Sequence, residues 1–167
     1  MTAPAETGIT VALTGSLPFE SFYRDAYHNV AKALAFTLGD VDLAQEATDE
    51  AMARAFQRWA SVGEYDNPGG WVYRVGLNWA RSRIRRLSRS LPFRDRDEVT
   101  DPPVADPDLR LALAKLPVEL RSVVVCRLLL DWSVGATADA LELNPGTVKS
   151  RLHRALHALE ATLAHLR

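Results

Sequence analysis

Leu143-Asn144-Pro145-Gly146-Thr147-Val148-Lys149-Ser150-Arg151-Leu152-His153-Arg154-Ala155-Leu156 reads as the turn and second helix of a helix-turn-helix, the helix that enters a DNA major groove. Asn144 is a good N-cap, Pro145 suits the first helical position, and small polar residues follow. Val148, Leu152, Ala155 and Leu156 recur at helical spacing and are expected to face inward. Asn144, Thr147, Lys149, Ser150, Arg151, His153 and Arg154 are then left outside, a set suited to phosphates and base edges. A basic amphipathic helix alone is usually just a solvated face. The preceding residues 133–142, Ser-Val-Gly-Ala-Thr-Ala-Asp-Ala-Leu-Glu, have the right length for the first half of the motif, which favours DNA binding.

Working outward, the chain of 167 residues is 47% hydrophobic and 25% charged, ordinary values for a globular protein of one medium or two small domains. No apolar run approaches a bilayer span, and no basic start precedes the weakly apolar stretch 9–13, so neither a membrane helix nor a secretory signal is expected. The single cysteine, Cys126, excludes an internal disulfide and sits in an apolar run that reads as buried. His28, His153, His157 and His165 are scattered, with no phosphate loop or metal-ligand spacing. These features point to a cytoplasmic protein that is not an enzyme and has no cofactor or metal.

The net charge of −1 conceals a pattern. Counting Lys and Arg against Asp and Glu, residues 1–73 carry −6, 74–96 carry +7, 97–142 carry −5 and 143–167 carry +3. Basic blocks attract phosphate through counterion release, whereas acidic faces suit a basic protein partner. Two DNA contacts and a separate protein contact are therefore expected.

The periodicity predicts helices over 19–38, 40–59 and about 71–87. Among their inward candidates are Tyr23, Val30, Leu34, Ala47, Ala51, Phe56, Trp59, Trp71, Val72 and Leu77. Residues 61–70 read as a loop. Pro92, Pro102, Pro103 and Pro107, with mixed charges, mark a flexible linker over 88–108. A short helix over 109–116, an apolar helix over 119–130 and the helix-turn-helix then complete a four-helix unit. The expected fold is all-α: a flexible N-terminus over 1–17, a helical domain over 18–87, the linker, and a second helical domain over 109–167.

With these elements placed, the residues match a known family. Leu116-Pro117, Glu119, Arg121, Ser133-Val134, Ala138, Leu141, Gly146-Thr147-Val148-Lys149-Ser150-Arg151-Leu152 and Arg154-Ala155 resemble the C-terminal domain of extracytoplasmic-function (ECF) sigma factors of bacterial RNA polymerase, the group IV members of the sigma-70 family. Ala44-Gln45-Glu46 through Asp49-Glu50 and Arg54-Ala55-Phe56 resembles that family's core-binding helix. Trp71-Val72-Tyr73-Arg74-Val75-Gly76-Leu77-Asn78, Ala80 and Ile84-Arg85-Arg86 resembles its promoter-melting helix. The three matches occur in the family's order.

The resemblance implies a transcription initiation factor that brings core polymerase to promoters. It implies sigma region 2 over 18–87, sigma region 4 over 109–167 and, as is common in this family, an anti-sigma factor as a further partner. Glu46, Asp49, Glu50 and Arg54 would dock on the coiled coil of the largest polymerase subunit, and the second domain on the flap region. Asn67, Arg74, Asn78, Arg81, Arg85 and Arg86 would meet the minus-ten element, with the 67–70 loop and Asn78 as the candidate pocket for an unstacked base. Asn144, Thr147, Lys149, Ser150, Arg151, His153 and Arg154 would read the minus-thirty-five element. The chain departs from the family at Ala136, where Glu is usual, and at Glu142, where the turn usually has Gly. Asp49 also replaces the usual Gln. The alternative is a helix-turn-helix regulator, or a sigma-like protein, acting without core polymerase.

Overall fold

The computed structural model describes residues 17–90 and 106–166; of the N-terminal tail expected over 1–17 and the linker expected over 88–108, residues 1–16 and 91–105 lie outside them. Among the described residues all regular structure is helical. The first unit holds α1 (Phe19–Leu38), α2 (Val41–Gln57), the single turn α3 (Trp59–Val62) and α4 (Pro68–Ser90). The second holds α5 (Pro107–Lys115), α6 (Val118–Val124), α7 (Val134–Leu141) and α8 (Pro145–Leu166). The two-unit, all-α architecture expected from the sequence is present.

Local chemistry sets the boundaries. Gly39 ends α1 in the left-handed conformation, φ 69°, and its N–H donates to the Ala35 carbonyl. Asp40 then caps α2, its side chain accepting from Leu43 N at 2.9 Å. Asn67 caps α4 in the same way, accepting from Gly70 N at 3.0 Å with Pro68 at the first helical position. α4 therefore begins three residues before the expected start at Trp71 and continues to Ser90. Helix occupies both ends of the stretches read as the 61–70 loop and the 88–108 linker.

The first core is built on small residues. Ala44, Ala47, Ala51 and Ala55 on α2 are buried, so the backbones of α1, α2 and α4 approach closely. A Cβ at Gly76 of α4 would lie 2.9 Å from Leu34 Cδ1 and 3.1 Å from the Ala47 carbonyl oxygen. Leu34, Met52, Val72 and Tyr73 fill the remaining space. Three inward expectations fail: Tyr23, Phe56 and Leu156 are exposed, Phe56 by 64%. Each lies at the margin of its apolar stripe, where periodicity does not say whether a neighbouring element covers the position.

The second unit has two smaller clusters. Ala112, Leu113, Leu116, Val124, Ala155 and Leu159 form one, and Val123, Ala138 and Val148 the other. Between α6 and α7 the helix widens into a π turn, Val125–Leu129, marked by Leu130 N donating to Val125 O at 3.0 Å. This turn carries Val125 and Cys126 into the core of the first unit, so the two units share buried apolar surface. Trp132 stands edge-on to Tyr73 with centroids 6.1 Å apart. Arg121 bridges the units most fully. Its guanidinium donates to the Thr37 carbonyl of α1 at 2.7 Å, and to the carbonyls of Leu113, Ala114 and Leu116 at 2.8, 3.0 and 2.7 Å. A cation among the terminal carbonyls of α5 and α1 is favourably placed against both helix dipoles.

Candidate nucleic-acid interface

The helix-turn-helix is closed by three local bonds. Ser133 Oγ accepts from Ala136 N at 3.0 Å and starts α7. Leu143 N donates back to Ala138 O at 2.9 Å and ends it. Asn144 Oδ1 accepts from Gly146 N at 2.8 Å and starts α8. The residue that turns the chain, Glu142, is left-handed at φ 54°, a conformation in which glycine is cheapest. Val148 and Ala155 are fully buried and Leu152 half-buried, anchoring α8. Asn144, Lys149, Ser150, His153 and Arg154 are exposed, with Thr147 and Arg151 partly so. Among the described residues no carboxylate pairs with Lys149, Arg151 or Arg154. This face can donate to phosphate oxygens and base edges without first breaking an ion pair.

The second basic region, on α4, divides into three places. Asn78, Arg85 and Arg86 share an open groove of about 870 Å³ with Arg54, Val75, Trp79, Ser82 and Arg89. Its composition, several guanidinium groups beside an indole, suits a phosphate backbone with a base against the ring. Trp79 is also covered by Arg83, whose guanidinium carbon lies 5.3 Å from the ring centre. Asn67 and Arg74 lie elsewhere, in a cleft of about 790 Å³ closed on its far side by Ala136, Asp139 and Ala140 of α7. Arg81 is separate again, paired with Glu119 of α6 at 3.1 Å. The expected single pocket formed by the 67–70 loop and Asn78 is therefore not assembled: its two parts line different clefts. Arg89, one turn beyond Arg85, was missed because the periodicity placed the helix end at Leu87.

Asn67 has a structural task through its cap, and its Nδ2 is buried without a hydrogen-bond partner. Trp71 packs partly buried against the first core, the role its apolar neighbours indicated.

The acidic face of α2 is internally tied. Tyr27 donates to Asp49 Oδ1 at 2.6 Å, Arg54 pairs with Glu50 at 2.8 Å and Arg83 with Glu46 at 3.3 Å. Burial, then the Asp49 carboxylate, pushes the Tyr27 hydroxyl up to about 12. Beside this face Phe19, Phe22, Phe56 and Trp59 form an aromatic edge, with Phe19–Phe56 centroids 5.1 Å apart and Phe22–Trp59 4.9 Å. Among the described residues no cluster of His, Cys, Asp and Glu could hold a metal ion, and no helix is long and apolar enough to cross a membrane.

The comparisons with known proteins agree with this geometry. Residues 107–159 match the family model "Sigma-70, region 4". The chain is 33% identical over 143 residues to the ECF RNA polymerase sigma factor SigL of Mycobacterium tuberculosis, covering 77% of this chain and 78% of that one. It is 30% identical over 153 residues to the RNA polymerase sigma-E factor of Streptomyces coelicolor, covering 88% and 86%. The fold resembles that of the sigma factor RpoE, solved in complex with the anti-sigma factor NepR from Bartonella quintana, with a TM-score of 0.74 over 89% of this chain and 98% of that one at 18% identity. The chain therefore belongs to the extracytoplasmic-function sigma factors, the transcription initiation factors that direct RNA polymerase to promoters.

Proposed function

We propose a division of labour among three faces of the chain, with residues 18–87 acting as sigma region 2 and 109–167 as sigma region 4. Glu46, Asp49, Glu50 and Arg54 on α2, with the exposed Phe56 beside them, meet the coiled coil of the largest polymerase subunit. The second unit meets the flap region. The α4 groove around Asn78, Arg85 and Arg86, joined by Asn67, Arg74 and Arg81, receives the minus-ten element. Asn144, Thr147, Lys149, Ser150, Arg151, His153 and Arg154 on α8 read the minus-thirty-five element. The chain does no catalysis of its own and works in the cytoplasm, where promoter DNA is.

The observation that supports this reading is the pairing of two basic, solvent-facing surfaces, one on each unit, with a polar–aromatic edge beside α2. An anti-sigma factor is the regulator this reading assigns, since the structurally similar sigma factor RpoE was solved with NepR and CnrH with the cytosolic domain of CnrY. The test is transcription in vitro by core polymerase supplied with this chain and a library of promoter fragments. Promoter-specific transcripts are expected. Tight duplex binding by the chain alone, with no association with core, would sink the proposal.

A further inference from the structure

We propose that Trp79 is a base platform: its indole stacks on an unpaired nucleobase in the α4 groove, while the arginines around it hold the flanking phosphates. This rests on the reading of that groove as the surface for the minus-ten element, and names the side chain that grips a base there.

The groove is lined by side chains of α2 and α4 alone. Its charged members, Arg54, Arg85, Arg86 and Arg89, are all cations, and among the described residues no carboxylate lines it. Such a wall attracts any polyanion. What distinguishes a nucleic acid strand is its bases, and Trp79 is the aromatic ring in the lining. The other three tryptophans are engaged elsewhere. Trp59 donates its indole N–H to the Leu17 carbonyl at 2.9 Å, Trp71 lines the other cleft, and Trp132 stands edge-on to Tyr73. The Asn67 loop also lines that other cleft, so a base on Trp79 is a contact separate from the one expected at residues 67–70.

Trp79 is held in place before any ligand arrives. It is partly buried against the first core. Arg83 stands over the ring but is not part of the groove wall, so the part of the indole that lines the groove is left for a ligand. Glu46 of α2 pairs with Arg83 at 3.3 Å and keeps the cation on the ring. A ring fixed in this way loses little rotamer freedom when a base stacks on it. Along the same groove Asn78, Ser82, Arg85 and Arg89 repeat at helical spacing on one face of α4. They span roughly 16 Å at 1.5 Å per residue, room for about five nucleotides at 3.4 Å each. Arg85 Nη2 donates to Ser82 Oγ at 3.1 Å, which steadies the middle of the row. The exposed amide of Asn78, next to Trp79 in the chain, offers a donor and an acceptor to the edge of a stacked base.

The test uses the full chain and two single-stranded decamers with equal numbers of phosphates. One is of mixed sequence, and in the other every nucleotide is replaced by a tetrahydrofuran abasic sugar. Fluorescein-labelled forms report affinity. Wild type should bind the base-bearing strand about five- to a hundredfold more tightly than the abasic one. Trp79→Ala should abolish most of this difference and leave the salt dependence of binding unchanged, because the phosphate contacts remain. Trp79→Phe should keep most of it. The unlabelled base-bearing decamer should quench the indole emission of wild type, and W79F should remove that quenching. Equal binding of the two strands by wild type, or the full difference retained in W79A, overturns the proposal. Should W79A lose helix content by circular dichroism, the quenching decides alone: emission unchanged in wild type, or quenched equally in W79F, overturns it. Promoter-specific transcription is measured in parallel. Its absence in wild type and variants alike would sink the functional reading and leave the decamers to judge the platform.

Discussion

Thr37 of α1 and Tyr73 of α4, both fully buried, share a hydrogen bond of 2.7 Å at the place where the π turn delivers Cys126 from the other unit. Thr37 Oγ1 also donates to Ala33 O at 2.9 Å, so the proton between the two hydroxyls belongs to Tyr73. The Thr37 carbonyl in turn receives Arg121. One short segment therefore ties α1, α4 and the second unit together, and each polar group in it has a partner.

Ionisation at this junction predicts a loss of stability in alkali. Burial pushes the Cys126 thiol up to about 12 from its ordinary 9.0, and burial, then Cys126, holds the Tyr73 hydroxyl well above its ordinary 10.0. Both folded values are raised, so the folded chain retains protons that the unfolded chain releases above about pH 9. Stability from these groups is complete below that pH and is lost as pH rises toward 12. Urea midpoints at pH 7, 9 and 10.5 should be level between the first two and lower at the third. The drop should shrink in Cys126→Ala. A midpoint independent of pH up to 10.5 contradicts the assignment.

Gly76→Ala should destabilise the first unit by about 1–3 kcal/mol. The added methyl meets Leu34 Cδ1 and, less forgivingly, the Ala47 backbone carbonyl. Thermal melts would show a lowered transition, and a change within error would mean that α2 and α4 can move apart at little cost.

Arg151→Ala with Arg154→Ala should weaken binding to a duplex bearing the minus-thirty-five element. If each contacts one phosphate, the slope of log affinity against log salt should flatten by about 2. Titrations at several salt concentrations measure this directly. An unchanged slope removes these two side chains from the DNA interface.

Asp49→Arg should reduce binding to core polymerase about tenfold or more, by reversing charge in the α2 face and breaking the bond from Tyr27. Duplex binding by the same variant should be unchanged, since α8 lies on the other unit. Tyr27→Phe serves as the companion, losing the hydrogen bond but keeping the carboxylate. Core binding by surface plasmon resonance should then be nearly that of wild type, whereas an equal loss in both variants would mean that the bond matters and the charge does not.

Much of the fold was legible in the residues taken in order. The spacing of Val30, Ala33 and Leu34 with Gly39 at the end defined α1 to the residue, and Asn144-Pro145 marked the start of α8. Such signals are local: a cap, a stop and a period of 3.6 act within one helix. The exposed cationic set on α8 was legible for the same reason, because burying Val148 and Ala155 leaves the other face outward. Phe56, Tyr23 and Leu156 were not, since their exposure depends on which neighbour covers the edge of a stripe.

The sequence by itself determined the helices, the two units, the alternation of charge and the family. Only the tertiary structure decided which basic residues share a surface. Asn78, Arg85 and Arg86 meet in one groove, whereas Arg74 faces Glu142 and Arg81 faces Glu119, partners 68 and 38 positions away in the chain. Nothing local couples residues so far apart. Their pairing follows from the π turn carrying Val125 and Cys126 into the first core, a packing choice that no periodicity records.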